Sequence, residues 1–143
     1  MIRGLDTNIL CYALDPAFPE NQRCKEILLE LSAELKIALN PMVLHEAYHV
    51  LVFDQEWDPN DARHRLVSLL NHPYVEFYNQ SKRISIMALD LAVRHKLGGR
   101  DSLILANLMA NNVPVFYTHD KDLVELKQIS DKRFAIKLED PTD

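Results

Sequence analysis

Glycine is scarce in this chain, three residues in 143, and no stretch is rich in proline, glycine and serine together. So little backbone slack leaves no place for an interdomain hinge. With no internal repeat and no low-complexity tract, residues 1–143 are expected to form one domain. At this length folding buries roughly two thirds of the surface that the unfolded chain exposes, so no covalent staple is required. Cysteine is equally sparse. Cys11 and Cys24 lie in apolar stretches without paired-thiol spacing, which points to reduced, buried thiols rather than a disulfide or zinc ligands. No run approaches the roughly 20 apolar residues of a membrane span. The opening Met1-Ile2-Arg3-Gly4-Leu5-Asp6 meets an acid too early for a secretory signal. These absences predict a soluble cytoplasmic protein. An excess of positive charge is also missing: 16 basic against 21 acidic residues give a net charge of −5. That argues against a surface that coats nucleic acid non-specifically, and leaves room for a local basic patch.

What is present is an alternation of short apolar runs with helical periodicities. Ile2 to Leu5, Ile37 to Leu39, Tyr74 to Tyr78 and Val113 to Thr118 read as strands, and Phe134 to Leu138 as an edge strand. Helical spacing joins Cys24, Ile27, Leu28 and Leu31. Met42 to Val52 reads as a buried helix opened by Asn40-Pro41, and Asp58-Pro59 opens another with Ala62, Leu66, Leu69 and Leu70 inward. Ile84, Met87, Ala88, Leu91 and Ala92 form one stripe of a further helix that ends at Gly98-Gly99. Ser102 to Ala110 reads as a core helix and Lys121 to Ile129 as the last one. Strands alternating with helices imply an α/β fold whose parallel sheet is covered on both faces.

Within that pattern, Asp6, Glu46, Asp101 and Asp120 each follow a short apolar run or open a helix. Residues just past the carboxyl ends of parallel strands converge on one crevice, so acids this far apart in sequence can meet. Clustered carboxylates repel and raise one another's pKa unless a cation offsets them, and hard oxygen donors suit Mg²⁺ or Mn²⁺. Taken singly, Asp6, Asp101 and Asp120 also suit helix N-caps. Glu46 is harder to place, because a carboxylate in an apolar helix pays desolvation unless it is bound, with His45 and His49 as possible partners.

His45-Glu46-Ala47-Tyr48-His49 also matches H-E-x-x-H, in which two histidines on one helical face hold zinc beside a glutamate base. A zinc metallopeptidase needs a third ligand, for which Glu76 is a candidate. The metzincin continuation fails because Val52 stands where its glycine belongs. Arg94, Lys96 and Arg100 precede Asp101 and are candidate substrate-binding cations for a phosphodiester backbone, or simply complements to a helix end.

Asp6-Thr7-Asn8, Glu46 in an apolar helix, Gly98-x-x-Asp101-Ser102-Leu103-Ile104-x-Ala106 and Thr118-x-Asp120, in this order over nearly the whole chain, resemble the PIN-domain family and its VapC-type toxin ribonucleases. Leu123 stands where members often carry phenylalanine, and His45 and His49 lie outside the usual pattern. The resemblance implies a three-layer α/β/α sandwich with a mostly parallel sheet, Mg²⁺- or Mn²⁺-dependent endoribonuclease activity on RNA, a homodimer and a co-encoded antitoxin. It carries the metal-holding acids onto Asp6, Glu46, Asp101 and Asp120, with Asp122 as an extra or substitute. Metal-activated water would then attack phosphorus, and Thr7, Asn8 and Thr118 would orient the ligands. A catalytically inactive RNA-binding module with the same fold is the other reading to be separated.

Overall fold

A computed structural model describes residues 1–143. Six strands form one sheet: β1 (Ile2–Leu5), β2 (Lys36–Leu39), β3 (Val75–Phe77), β4 (Val115–Tyr117), β5 (Gln128–Ser130) and β6 (Ala135–Glu139), in the order β3-β2-β1-β4-β6-β5. All neighbours pair in parallel except β5 with β6. Seven α-helices connect and cover it: α1 (Thr7–Leu14), α2 (Asn21–Leu29), α3 (Pro41–His49), α4 (Pro59–Leu70), α5 (Lys82–His95), α6 (Gly99–Ala110) and α7 (Lys121–Leu126). The result is the expected three-layer α/β/α sandwich. The apolar runs of β1 and β2 are buried over three of their four residues, as strands covered on both faces must be. They contribute to one cluster of 31 buried residues.

Strand order runs outward from β1 in both directions, through β2 to β3 on one side and through β4 to β6 on the other. The gap between the carboxyl ends of β1 and β4 is therefore the switch point at which an open α/β sheet forms a crevice. Asp6 leaves β1 there and donates its backbone N–H to the carbonyl of Tyr117, while Thr118 leaves β4 beside it.

Several local readings change. α3 stops at His49 and its backbone widens into a π-helical turn, Val50–Asp54, instead of running on to Val52. That turn is tied down from outside, because Gln55 and Trp57 both donate side-chain N–H groups at 3.1 Å to the buried Asp15 carboxylate. The stop after α5 is not glycine: Lys96 takes the left-handed conformation at φ 55°, while Gly98 caps α6 and Gly99 opens it. α7 ends at Leu126 rather than Ile129, since Lys127 turns at φ 63° and Ile129 enters β5, fully buried opposite Ile136. Hence β6 is an inner strand, and β5 is the edge. The alternation of exposed and buried residues along β6 looks like an edge strand because one face stays solvated. Leu31 lies beyond the end of α2, and α1 emerges directly from Asp6 with its apolar residues packed on α2 and α3.

Cys11 and Cys24 are free and buried, and burial pushes their thiols up to about 12 and about 11 respectively. Thiolate is the reactive form. Iodoacetamide at pH 8 is accordingly expected to leave both cysteines unmodified in the native protein and to alkylate both in denaturant, as read by intact mass. Modification of Cys11 in the folded protein would contradict its placement.

Candidate active site

Three separate segments deliver carboxylates to the switch-point crevice. Asp6 is the N-cap of α1: its Oδ1 accepts from Thr7 N–H at 2.8 Å, which holds the side chain pointing across the end of β1. Its Oδ2 accepts from the Thr118 hydroxyl at 2.8 Å, and the side chain is 4% exposed. Glu46 arrives from α3, a helix oriented by proline at its start and by Asn40, whose side chain accepts from Val43 N–H. The Thr7 hydroxyl donates to Glu46 Oε1 at 2.8 Å. Asp101 stands in the first turn of α6, where a negative charge complements the helix dipole.

The centre of this group is Arg100. Its Nε donates to both Glu46 oxygens at 2.7 and 2.6 Å, one terminal nitrogen to Asp101 Oδ1 at 2.7 Å, and the other to Asp6 Oδ1 and Thr7 Oγ1, each at 3.0 Å. Burial works against the guanidinium charge but is outweighed by Glu46 and Asp6, so its pKa is raised. Burial also raises the Asp101 pKa; Arg100 pulls it down in part, while the negative charges of Asp6 and Asp120 push it further up. The mutual elevation expected of crowded acids is thus visible at Asp101.

Asp120 reaches the same place indirectly. Its backbone N–H donates to the Thr118 hydroxyl oxygen, the group that also donates to Asp6, while its Oδ1 caps α7 by accepting from Asp122 and Leu123 N–H. Capping and crevice placement therefore coexist on one side chain. Asp6, Thr7, Asn8, His45, Glu46, His49, Arg100 and Asp120 line a cavity of about 830 Å³. Asp122 is exposed in the first turn of α7 and is not part of that lining.

Of the cations before Asp101, Arg94 is exposed and paired with Asp131 at 3.1 Å, and Lys96 is exposed beyond α5. Only Arg100 enters the crevice. Glu46 takes Thr7 and Arg100 as partners instead of its helical neighbours His45 and His49, whose rings lie on the exposed rim, His49 beside Phe53 with ring centroids 4.9 Å apart. Glu76 is engaged with Lys36 at 3.4 Å on the sheet. Nothing in the residue types between 46 and 100 foretells the Glu46–Arg100 pair. The signal available was electrostatic, since three acids in one crevice call for a nearby cation and Arg100 adjoins Asp101.

The donors are hard oxygens of the kind that hold Mg²⁺ or Mn²⁺, and they already surround a positive group. As arranged, no three histidine, cysteine, aspartate or glutamate side chains stand together as a metal-ion site. The guanidinium lies among them as a stand-in cation. The donor set suits a divalent ion in chemistry, and Asp6, Glu46, Asp101 and Asp120 are the residues that could hold one.

Comparison with protein families matches residues 5–129 to the PIN domain. Among solved structures, VapC20 of Mycobacterium tuberculosis, a sarcin-ricin loop cleaving toxin, is 15% identical with a TM-score of 0.70, covering 84% of this chain and 91% of that one. VapBC2 of Rickettsia felis, bound to a DNA fragment from its promoter, is 20% identical with a TM-score of 0.70 and 98% coverage of each chain. VapBC-1 of nontypeable Haemophilus influenzae is 16% identical with a TM-score of 0.67, covering 100% of each. No curated protein matches the sequence. At these identities the likeness is one of fold.

Proposed function

Because the chain belongs to the PIN domain family, we propose that it is a Mg²⁺- or Mn²⁺-dependent endoribonuclease and the toxin of a type II toxin–antitoxin pair. The observation that carries this reading is the convergence of Asp6, Glu46 and Asp101, from three separate helix starts and helix faces, on one cation position at the switch point of the sheet. The toxin and toxin–antitoxin structures that share the fold support the toxin role.

When bound, the divalent ion supplies activation of the attacking water and stabilisation of charge developing on the phosphodiester. The chain's own residues do the rest. Thr118 and the backbone of Thr7 fix Asp6, and the Thr7 hydroxyl fixes Glu46, so these carboxylates are oriented before a ligand arrives. Low exposure of Asp6 keeps water from competing there. Lys96, exposed ahead of α6, is offered to the RNA backbone, Arg94 joins it on release from Asp131, and Asn8, on the cavity wall, would help orient the bound ligands. Asp122 serves, on this reading, as an outer acid that helps attract the ion.

The reading includes an antitoxin partner, a homodimer and a cytoplasmic site of action for a single 1–143 domain. No helix is long and apolar enough to cross a membrane. Ile86, Leu89 and Val93, on one side of α5, are 53%, 66% and 84% exposed, an apolar stripe of the kind that a second subunit covers.

Purified protein is expected to cut RNA internally, to lose that activity in EDTA and to regain it with Mg²⁺ or Mn²⁺. Cleavage unaffected by chelation would remove the metal from the mechanism, and no cleavage under any metal would leave an RNA-binding module. A zinc peptidase would instead show stoichiometric zinc and dependence on His45 and His49. That reading is disfavoured because Glu76, its candidate third ligand, pairs with Lys36 on the sheet and does not line the cavity on which His45 and His49 lie.

A further inference from the structure

We propose that Arg100 is an internal occupant of the carboxylate crevice, which a divalent ion must displace before it can bind. The inference rests on the metal-dependent reading above and concerns what that ion meets on arrival.

A guanidinium carries five N–H donors in a rigid planar fork. Arg100 directs this fork at Glu46, Asp101, Asp6 and Thr7 through five hydrogen bonds, two of them at 2.6 and 2.7 Å to the separate oxygens of Glu46. Both Glu46 oxygens and one oxygen each of Asp6 and Asp101 thus face N–H groups. An ion of the Mg²⁺ class takes oxygen donors at about 2.0–2.1 Å in near-octahedral order, so one that binds at the centre of this group must take the same oxygens. It cannot share them with a positive fork aimed at the same point. Nor can the crevice be left empty, because removing Arg100 sets three carboxylates against one another, one of them almost fully buried. The position therefore holds one cation or the other.

Arg100 is also able to leave. Its side chain is 37% exposed and lines the cavity, so the fork has a path to solvent that the buried Asp6 lacks. Swung out, it stands at the mouth beside a bound phosphodiester, where a bidentate contact is open to it. The same residue then serves as counter-charge in the resting protein and as substrate partner in the loaded one. Because metal binds only the fraction of molecules in which the fork is withdrawn, apparent metal affinity is lowered by that fraction.

The test is Mn²⁺ titration of the full chain by isothermal calorimetry, with melting temperatures measured in parallel. Arg100→Gln is expected to bind Mn²⁺ about tenfold or more tightly than wild type, following the removal of that competition. Without metal it should melt below wild type, and saturating Mn²⁺ should narrow the gap. Arg100→Lys retains the charge without the fork and should give an intermediate affinity; it carries the comparison if the glutamine variant does not fold metal-free. Equal or weaker Mn²⁺ binding by the variants overturns the role of Arg100 and leaves the metal site standing. Absence of Mn²⁺ binding in wild type and variants alike overturns the metal reading itself, and this inference with it.

Discussion

Asp6→Asn protein is expected to cleave RNA about 100-fold more slowly than wild type, or worse, while remaining folded, the scale of loss seen when one preorganised electrostatic group is removed from an active site. The substitution changes charge with little change of shape. A side-chain oxygen remains to accept from Thr7 N–H, so the α1 cap that Asp6 provides is preserved. The Thr118 hydroxyl can rotate to accept where it now donates. What disappears is the most deeply buried negative charge of the crevice, 4% exposed, where low dielectric gives a charge its largest effect on a cation. Matched melting curves together with single-turnover cleavage of one RNA in Mn²⁺ make the measurement. Cleavage by the variant at the wild-type rate would end the assignment of Asp6, and a collapsed melting temperature would mean that its charge, paired with Arg100, is needed for folding itself.

Gly4→Val is expected to lower stability by about 1–3 kcal/mol, the usual cost of forcing extra atoms into a packed core, and to reduce cleavage as well. A Cβ at Gly4 would stand 3.0 Å from Leu108 Cδ2 and closer still to Cδ1. Leu108 is 1% exposed, so its displaced methyl groups must repack within the core. Valine favours strands, but that preference spans only about 1 kcal/mol, so overpacking decides the sign. The consequence reaches the site because Gly4 precedes Asp6 by two residues on β1, while Leu108 belongs to α6, whose first turn carries Arg100 and Asp101. Glycine at position 4 leaves the volume that the Leu108 side chain fills, so a larger residue there is expected to push α6 away from β1. Displacement by roughly 1 Å in such a constellation can cost about a hundredfold in rate. Adding Leu108→Ala should return part of the stability by vacating the contested volume. An unchanged melting temperature for Gly4→Val would show that the core accommodates the side chain.

The alternation of strands and helices was legible from periodicity, which depends only on neighbours in the chain. The same holds for Asp6 before α1, Asn40 before α3, Asp58 before α4 and Asp120 before α7, since cap chemistry is local. The misread ends share a cause in tertiary constraint. Ile129 joined the apolar spacing of α7 in sequence, but burial against Ile136 in an antiparallel pair won over one more turn of helix. The π-turn after α3 follows from Gln55 and Trp57 reaching back to Asp15, about forty positions earlier. Gly98-Gly99 carries no left-handed residue, and Lys96 takes that conformation.

The sequence by itself determined the class of the sheet, the helix starts and the presence of Asp6, Glu46, Asp101 and Asp120 at positions from which a crevice can be built, because hydrophobic spacing and capping act over a few residues. Only the tertiary structure decided that β6 lies inside the sheet, that His45 and His49 stay on the rim, and that Arg100 sits among the acids, bonded to Glu46 across 54 positions. Such a pairing depends on where two helix starts are brought by the closed sheet and on the electrostatic demand of carboxylates removed from water, and neither exists until the chain has folded.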